Sequence, residues 1–416
     1  MSSSHKDREM TSVAEALARE RWTRRELIKR GGLGALLLGS TPAFLAACGG
    51  GDEAGEAGAT GGTGAAESTS DSTAGVIDFY SWEGYDLPND FFPTMKAWKD
   101  ANDVKIRASY IGSHDDIQAK IKSGGGEGVD LITYGQHYKP LYSKEQLDML
   151  APIEEDKIPN LKNLFPLFAS DEGNFWVDSD GTRTGVPMFW LALALTYDSA
   201  EFPSAPTSYD VLFDPKYSGK VAVVDAATDV FGTAAVVLGL DPSQLTDDDF
   251  AQLVDWTKQL VAQTKGLSTA YGDMATRLAA GDAVLAFPGW AAVNAFAADA
   301  GKDTIQWTLP EEGGAGFVDA YAIPVAADNL ETAHAWINQG LDPKVNAEAA
   351  NYLVGGTVCA DSVSLIDPEI AAIYPYDDLE SFFQKAELIR LPPVESDTYV
   401  TLDEVQTAWQ EVKAAA

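Results

Sequence analysis

Cysteine and histidine are nearly missing from this 416-residue chain, which has two of the first and four of the second. Cys48 falls in an N-terminal export signal, so Cys359 has no partner left and an internal disulfide framework is excluded. His5 lies in the same signal, and His114, His137 and His334 are not at metal-ligand spacing. Neither a GxSxG nucleophile elbow nor an HExxH zinc motif occurs, and no adjacent tyrosines suggest a ferric site. These absences argue against an enzyme and against a resident metal or cofactor. Basic residues are also scarce: 29 Lys and Arg stand against 63 Asp and Glu, a net charge of −34. Nucleic acid and anionic lipid are therefore poor partners. Such an acidic chain suits either solubility in saline surroundings or a cationic ligand, and composition alone leaves both open.

What is present begins with an address. Thr23-Arg24-Arg25-Glu26-Leu27-Ile28-Lys29 is a twin-arginine motif, followed by the apolar run Leu33 to Leu38 and the lipobox Leu45-Ala46-Ala47-Cys48. Residues 1–47 thus read as a twin-arginine lipoprotein signal peptide, with Cys48 expected to carry the lipid anchor after cleavage. The apolar run is too short to span a bilayer. The expected location is the outer side of the cytoplasmic membrane, in the cell envelope or periplasm. After Cys48, residues 49–75 are almost entirely Gly, Ala, Ser, Thr and acid with no large apolar side chain, which predicts that 48–75 is a disordered tether reaching on the order of 25–30 Å. Removal of residues 1–47 takes away eight basic and five acidic residues, which moves the net charge to −37.

From residue 76 strands and helices alternate. Strands are expected at 76–82, 104–111 and 129–134, with helices at 88–101 and 114–123 between them. That order implies right-handed crossovers and a parallel sheet. Residues 174–187 read as a hairpin closed at Asp180-Gly181; the segment Asp178-Ser179-Asp180-Gly181 hints at a calcium loop but lacks the EF-hand spacing. A second series follows, with strands at 220–225, 283–287 and 304–309 and helices at 229–239, 246–264 and 290–299. Helices at 328–340 and 343–352 complete the pattern. The long extended segments 186–197 and 316–324 would cross between two lobes, with the ligand cleft between them. Lobe 1 is expected over 76–190 with about 320–375, and lobe 2 over 191–319 with about 376–416.

Several ordered segments carry a resemblance. They are Phe79-Tyr80-Ser81-Trp82-Glu83-Gly84-Tyr85, Val129-Asp130-Leu131-Ile132, the run from Leu212 to Lys220, Pro310-Glu311-Glu312-Gly313-Gly314 with Phe317-Val318-Asp319 and Ala322-Ile323-Pro324, and Ala335-Trp336-Ile337-Asn338 before Leu341-Asp342-Pro343. In these the chain resembles the spermidine/putrescine-binding proteins of bacterial ABC importers. The resemblance implies an α/β, two-lobed periplasmic-binding-protein-like fold of type II, mainly parallel sheets joined by crossing strands. It also implies a monomer that closes on a polyamine or other organic cation and presents it to a membrane ABC permease. The same fold could instead serve a membrane sensor or take another small solute.

Polyamine chemistry asks for carboxylates facing the ammonium groups and aromatic faces covering the methylenes. The resemblance points to Trp82 and Tyr85 at the end of the first strand, Asp319 as the amine-binding carboxylate, and Asp229 as a second acid, or else a helix N-cap. Phe287 and Phe317 stand where the family has tryptophans, and Trp290 lies close by. Glu83 adds an acid where the family has a neutral residue. Other departures remove contacts. Thr133-Tyr134-Gly135-Gln136-His137 replaces a loop that has proline, serine and an aromatic, a second family acid falls on Ala226, and a family tyrosine falls on Gly356. The C-terminal polar contact has no clear counterpart after Phe382. His334, on a helix with Trp336, reads as a packing or surface residue.

Overall fold

The computed structural model describes residues 75–82, 84–111, 114–142, 148–170 and 175–414. The signal peptide, Cys48, the tether up to residue 74, and Glu83 lie outside the described residues. Strand β1 (Gly75–Ser81) alternates, with Ile77, Phe79 and Ser81 turned inward, and runs parallel to β2 (Val104–Tyr110). The intervening helix α1 spans Pro93–Ala101, shorter than the expected 88–101. A proline disfavours helical backbone in the residue before it, and Phe92 sits at φ −124°, ψ 70°, so the helix opens on Pro93. Helix α2 (His114–Gly124) returns the chain to Leu131, which bridges Phe79 in parallel, and to β3 (Ile132–Gly135).

The expected hairpin is present as the Val177–Arg183 bridge, with Gly181 at φ +86°. Its aspartates are occupied locally rather than arranged as a calcium loop. Asp178 forms a buried ion pair with Lys139, and Asp180 accepts from Thr182 N in its own turn.

Strand β4 (Val186–Asp198) is buried at every position but Leu191, consistent with its near-continuous apolar sequence. It pairs antiparallel with β8 (Gly314–Ala322), from Val186 opposite Tyr321 to Leu193 opposite Ala315. The first half of β4 packs into a core formed by residues 77–192 and 318–386. Leu195 and Tyr197 enter a second core built from residues 195–305 and 400–412. Two strands therefore cross between two cores. The second core holds β5 (Val221–Val223) parallel to β6 (Leu285–Trp290), and β7 (Ile305–Thr308) on the end of β4. Helices α3 (Ala227–Val237), α4 (Asp247–Val261), α5 (Tyr271–Ala280) and α6 (Ala291–Asp299) surround these strands.

The chain then re-enters the first core through α7 (Leu330–Gly340), α8 (Pro343–Leu353) and β9 (Gly356–Thr357). Helix α9 (Leu379–Lys385) stays with the first core, because Phe382 and Phe383 pack on Trp190 at 5.3 and 5.0 Å between ring centres. The change of lobe expected near 376 therefore comes after β10 (Ala386–Leu388), and α10 (Leu402–Ala414) seals the second core with Val405, Trp409 and Val412. The sheet that joins the lobes is mixed. Its pairing is parallel in the αβ units and at β10, and antiparallel wherever β4 takes part. Among the described residues, no helix is long and apolar enough to cross a membrane.

Candidate functional site

Asp319 is the one position of β8 that is not fully buried. In the ladder it lies between Phe189 of β4 and Gly135 of β3. The Tyr85 hydroxyl donates to Asp319 Oδ2 at 2.7 Å, while its ring meets Phe189 edge-on at 5.3 Å. A tight turn after β1 presents Tyr85. Gly84 takes φ +90°, a left-handed value that favours glycine, and its N–H donates to Asp86 Oδ1 at 3.1 Å. Asp86 is in turn held by the Tyr110 hydroxyl, and the buried Lys99 donates to Leu87 O.

A matching arrangement stands in the second lobe. Asp229 lies in the first turn of α3, and its Oδ2 accepts the Tyr271 hydroxyl at 2.7 Å. The N-cap of this helix is Ala226, so the N-cap alternative for Asp229 is corrected. No described lysine or arginine forms an ion pair with Asp229 or Asp319. Both are half-buried, yet enough protein surrounds each that desolvation dominates. Burial pushes both carboxyls up to about 6, against the lowering effect of the tyrosine hydrogen bonds. The two phenols are raised well above their usual value, first by burial and then by the adjacent carboxylate, so they remain donors.

Aromatic side chains pack against both tyrosines. Trp290 meets the Tyr271 ring edge-on at 5.8 Å and packs against both main cores. Trp290 and Tyr271 also pack on a small cluster of Leu193, Val236, Ala315, Phe317 and Ile389. Phe317 is two residues from Asp319 on β8, hence on the same face. Trp82 is half-buried, with Tyr138, against a third cluster that includes Ile111 and Ile132.

Phe287 is a correction. It is fully buried in the second core, with its ring 5.5 Å from Tyr209 and 5.3 Å from Trp256. Leu285, Ala286 and Phe287 all enter the second core, whereas Trp290 at the end of β6 is only half-buried, so Phe287 does not stand on the expected wall. The tyrosine lost at Gly356 is not replaced in the site either. A side chain there would collide with the buried Trp190 indole, which donates to Thr357 O at 2.9 Å.

Two residues outside the expected site set stand against members of it, Tyr271 on Asp229 and His137 on Phe317. Tyr271 opens a helix that the sequence reading passed over, although the helix stops at Gly281 in the left-handed conformation, a legible signal. His137 stands edge-on to Phe317 at 4.8 Å. His334 is a packing residue: Nε2 accepts from Glu154 N and Nδ1 faces Leu330 O.

The sequence profile of the bacterial extracellular solute-binding proteins matches residues 94–373. The chain belongs to this family. It is 24% identical over 360 residues to the putrescine-binding periplasmic protein of Escherichia coli, covering 82% of this chain and 91% of that one. To the spermidine/putrescine-binding periplasmic protein of the same organism it is 26% identical over 340 residues, covering 82% and 92%. A solved spermidine/putrescine ABC transporter substrate-binding protein from Streptococcus pneumoniae shares the fold, with a TM-score of 0.65 at 18% identity over 82% of this chain and 99% of that one. The chain is thus an extracellular solute-binding protein with a type II two-lobed fold, and not an enzyme.

Proposed function

We propose that this chain is the lipid-anchored solute-binding component of an ABC importer, capturing a polyamine or related organic cation between its lobes for a membrane permease. The observation that carries the reading is the pair of tyrosine-bonded carboxylates, Asp319 and Asp229, with no ion pair from a described lysine or arginine to either. A buried carboxylate without a charge partner is costly, and a ligand ammonium would supply the missing partner. Trp290, beside Tyr271, and Phe317, two residues from Asp319, would offer apolar contacts for the methylenes of the same ligand. The names of the relatives agree with this chemistry. Anchoring at Cys48 and export by the twin-arginine route rest on the signal motif in the sequence.

Calorimetry of the purified chain with putrescine, cadaverine, spermidine, spermine, agmatine, choline and γ-aminobutyrate tests the ligand. We expect a di- or triamine to bind, and to remain bound at raised salt, because a buried pair is weakly screened. Absence of binding by every amine overturns the reading. Lipid anchoring is checked by mass spectrometry of the mature N-terminus, where an unmodified Cys48 would refute it.

A further inference from the structure

We propose that Lys99 is a positioning residue for the ligand site: its buried ammonium clamps the turn that aims Tyr85 at Asp319, an inference that rests on the cation-binding reading above. The turn follows β1 and holds two residues with left-handed backbone, Gly84 at φ +90° and Leu87 at φ +50°. Glycine takes such a value freely, whereas leucine rarely does, because its Cβ crowds the backbone. The turn's own bonds are few and long. Tyr85 N donates to Trp82 O and Leu87 N to Gly84 O, both at 3.3 Å. Pro88 follows and brings no N–H of its own. Such a turn keeps its shape only if its surroundings hold it.

Three residues do so. The Leu87 side chain is fully buried in the first core. Asp86 accepts from Gly84 N and from the Tyr110 hydroxyl, each at 3.1 Å. Lys99, in the last turn of α1, reaches back twelve residues and donates to Leu87 O at 3.1 Å. That carbonyl accepts from no backbone N–H among the described residues.

Stability alone does not account for an ammonium here. Lys99 is 6% exposed, and among the described residues no carboxylate lies within ion-pair distance of it. Desolvation lowers its pKa, and Asp86 and Asp100, the nearest charges that raise it, offset this only in part. Its other contact is the Trp336 ring, whose centre lies 5.3 Å from Nζ. A methionine of similar length would fill the same space against the first core without that cost. What a methionine cannot do is donate to the Leu87 carbonyl. Lys99 therefore fixes the Leu87 end of the turn while Asp86 fixes the Gly84 end. Tyr85 between them is held with its hydroxyl on Asp319 and its ring on Phe189.

Two measurements on the purified full-length chain test this: calorimetry with 1,4-diaminobutane and spermidine, and hydrogen exchange at the Gly84, Tyr85 and Leu87 amides without ligand. Lys99→Met should weaken amine binding about tenfold and speed exchange at all three amides, with thermal unfolding confirming its fold. Lys99→Leu serves the same test should the methionine chain fail to fold. In a chain that already carries Tyr85→Phe, the Lys99 change should cost about threefold or less, because the hydroxyl that Lys99 helps to aim is gone. Lys96→Met removes an exposed lysine of the same helix and should bind as wild type, which controls for the loss of charge alone. A Lys99→Met chain that binds both amines as wild type does overturns the assignment. So does an undiminished loss in the Tyr85→Phe background, or an equal loss in Lys96→Met. A wild type that binds neither amine overturns the cation-binding reading, and exchange then decides the clamp by itself. Faster exchange in Lys99→Met bears the clamp out, and unchanged exchange overturns it.

Discussion

Asp319 and Asp229 are unusual because the protein surrounds each carboxylate and, among the described residues, offers it a phenol and no cation. The consequence for stability has a definite sign. Both carboxyls are raised to about 6, above the unfolded value near 4, so the free protein is favoured while they are protonated and loses that advantage as pH rises from about 4 through 6. Asp319→Asn should therefore stabilise the free chain at pH 8 by roughly 1–2 kcal/mol after solvent screening, with no gain near pH 4. The same change should weaken a bound amine by a few kcal/mol. Thermal unfolding at the two pH values, with and without amine, separates these effects; an Asn variant that binds as wild type refutes the role of Asp319. Tyr85→Phe and Tyr271→Phe remove the hydrogen bond that lowers the adjacent carboxyl, so each should move the acid limb of the binding curve to higher pH. Calorimetry from pH 5 to 8 reads that displacement directly, and an unmoved limb would count against the coupling.

At the scale of elements, alternation and capping decide most outcomes. β8 runs Phe317, Val318, Asp319, and period two places Phe317 and Asp319 together while Val318 enters the first core. β6 breaks that rule, since Leu285, Ala286 and Phe287 enter the second core in succession, and Phe287 lies inward against expectation. Phe287→Leu should thus lower thermal stability more than it changes amine affinity, whereas Trp290→Leu should mainly weaken binding. Paired melting and calorimetry distinguish the two, and the opposite ranking would place Phe287 back on the wall. Helix α4 begins with a full capping box, Thr246 bonding Asp249 N and Asp249 bonding Thr246 N. Thr246→Ala should cost about 1 kcal/mol of stability and leave binding unchanged, since α4 lies behind the second core.

The whole molecule is two cores joined by β4, β8 and the segment after β10, so relative motion of the lobes must be absorbed by those crossings. Trp290 packs against both cores, so separating the lobes would strip contacts from it, and a ligand that bridges Asp229 and Asp319 would favour the joined arrangement. Small-angle scattering should show a larger radius of gyration for the free chain than for the amine-saturated one. Equal radii would argue against hinge closure. The net charge of −34 should also steer a cationic ligand, so the association rate should fall with ionic strength while dissociation from the buried pair changes little. Stopped-flow measurement at two salt concentrations checks this.

The two αβ series and the extended segments 186–197 and 316–324 were legible in the chain itself, because period and turn chemistry are local properties, while Tyr85, Asp229 and Asp319 were singled out by the order of the motifs. A helix start was legible where a capping box marked it, as at Thr246, whereas the first helix opens on Pro93 and not at the expected residue 88. The rest depended on which side chains meet across distance. No local pattern could assign α9 to the first core, since that follows from Phe382 and Phe383 packing on Trp190 almost two hundred residues earlier. Nor could it seat Tyr271 on Asp229, or bring His137 into the space left by Gly135 opposite Asp319. The sequence by itself determined the family, the two-lobed αβ pattern and the acids to watch. Only the tertiary structure decided what each acid touches, because desolvation and hydrogen bonding are set by neighbours that are distant along the chain.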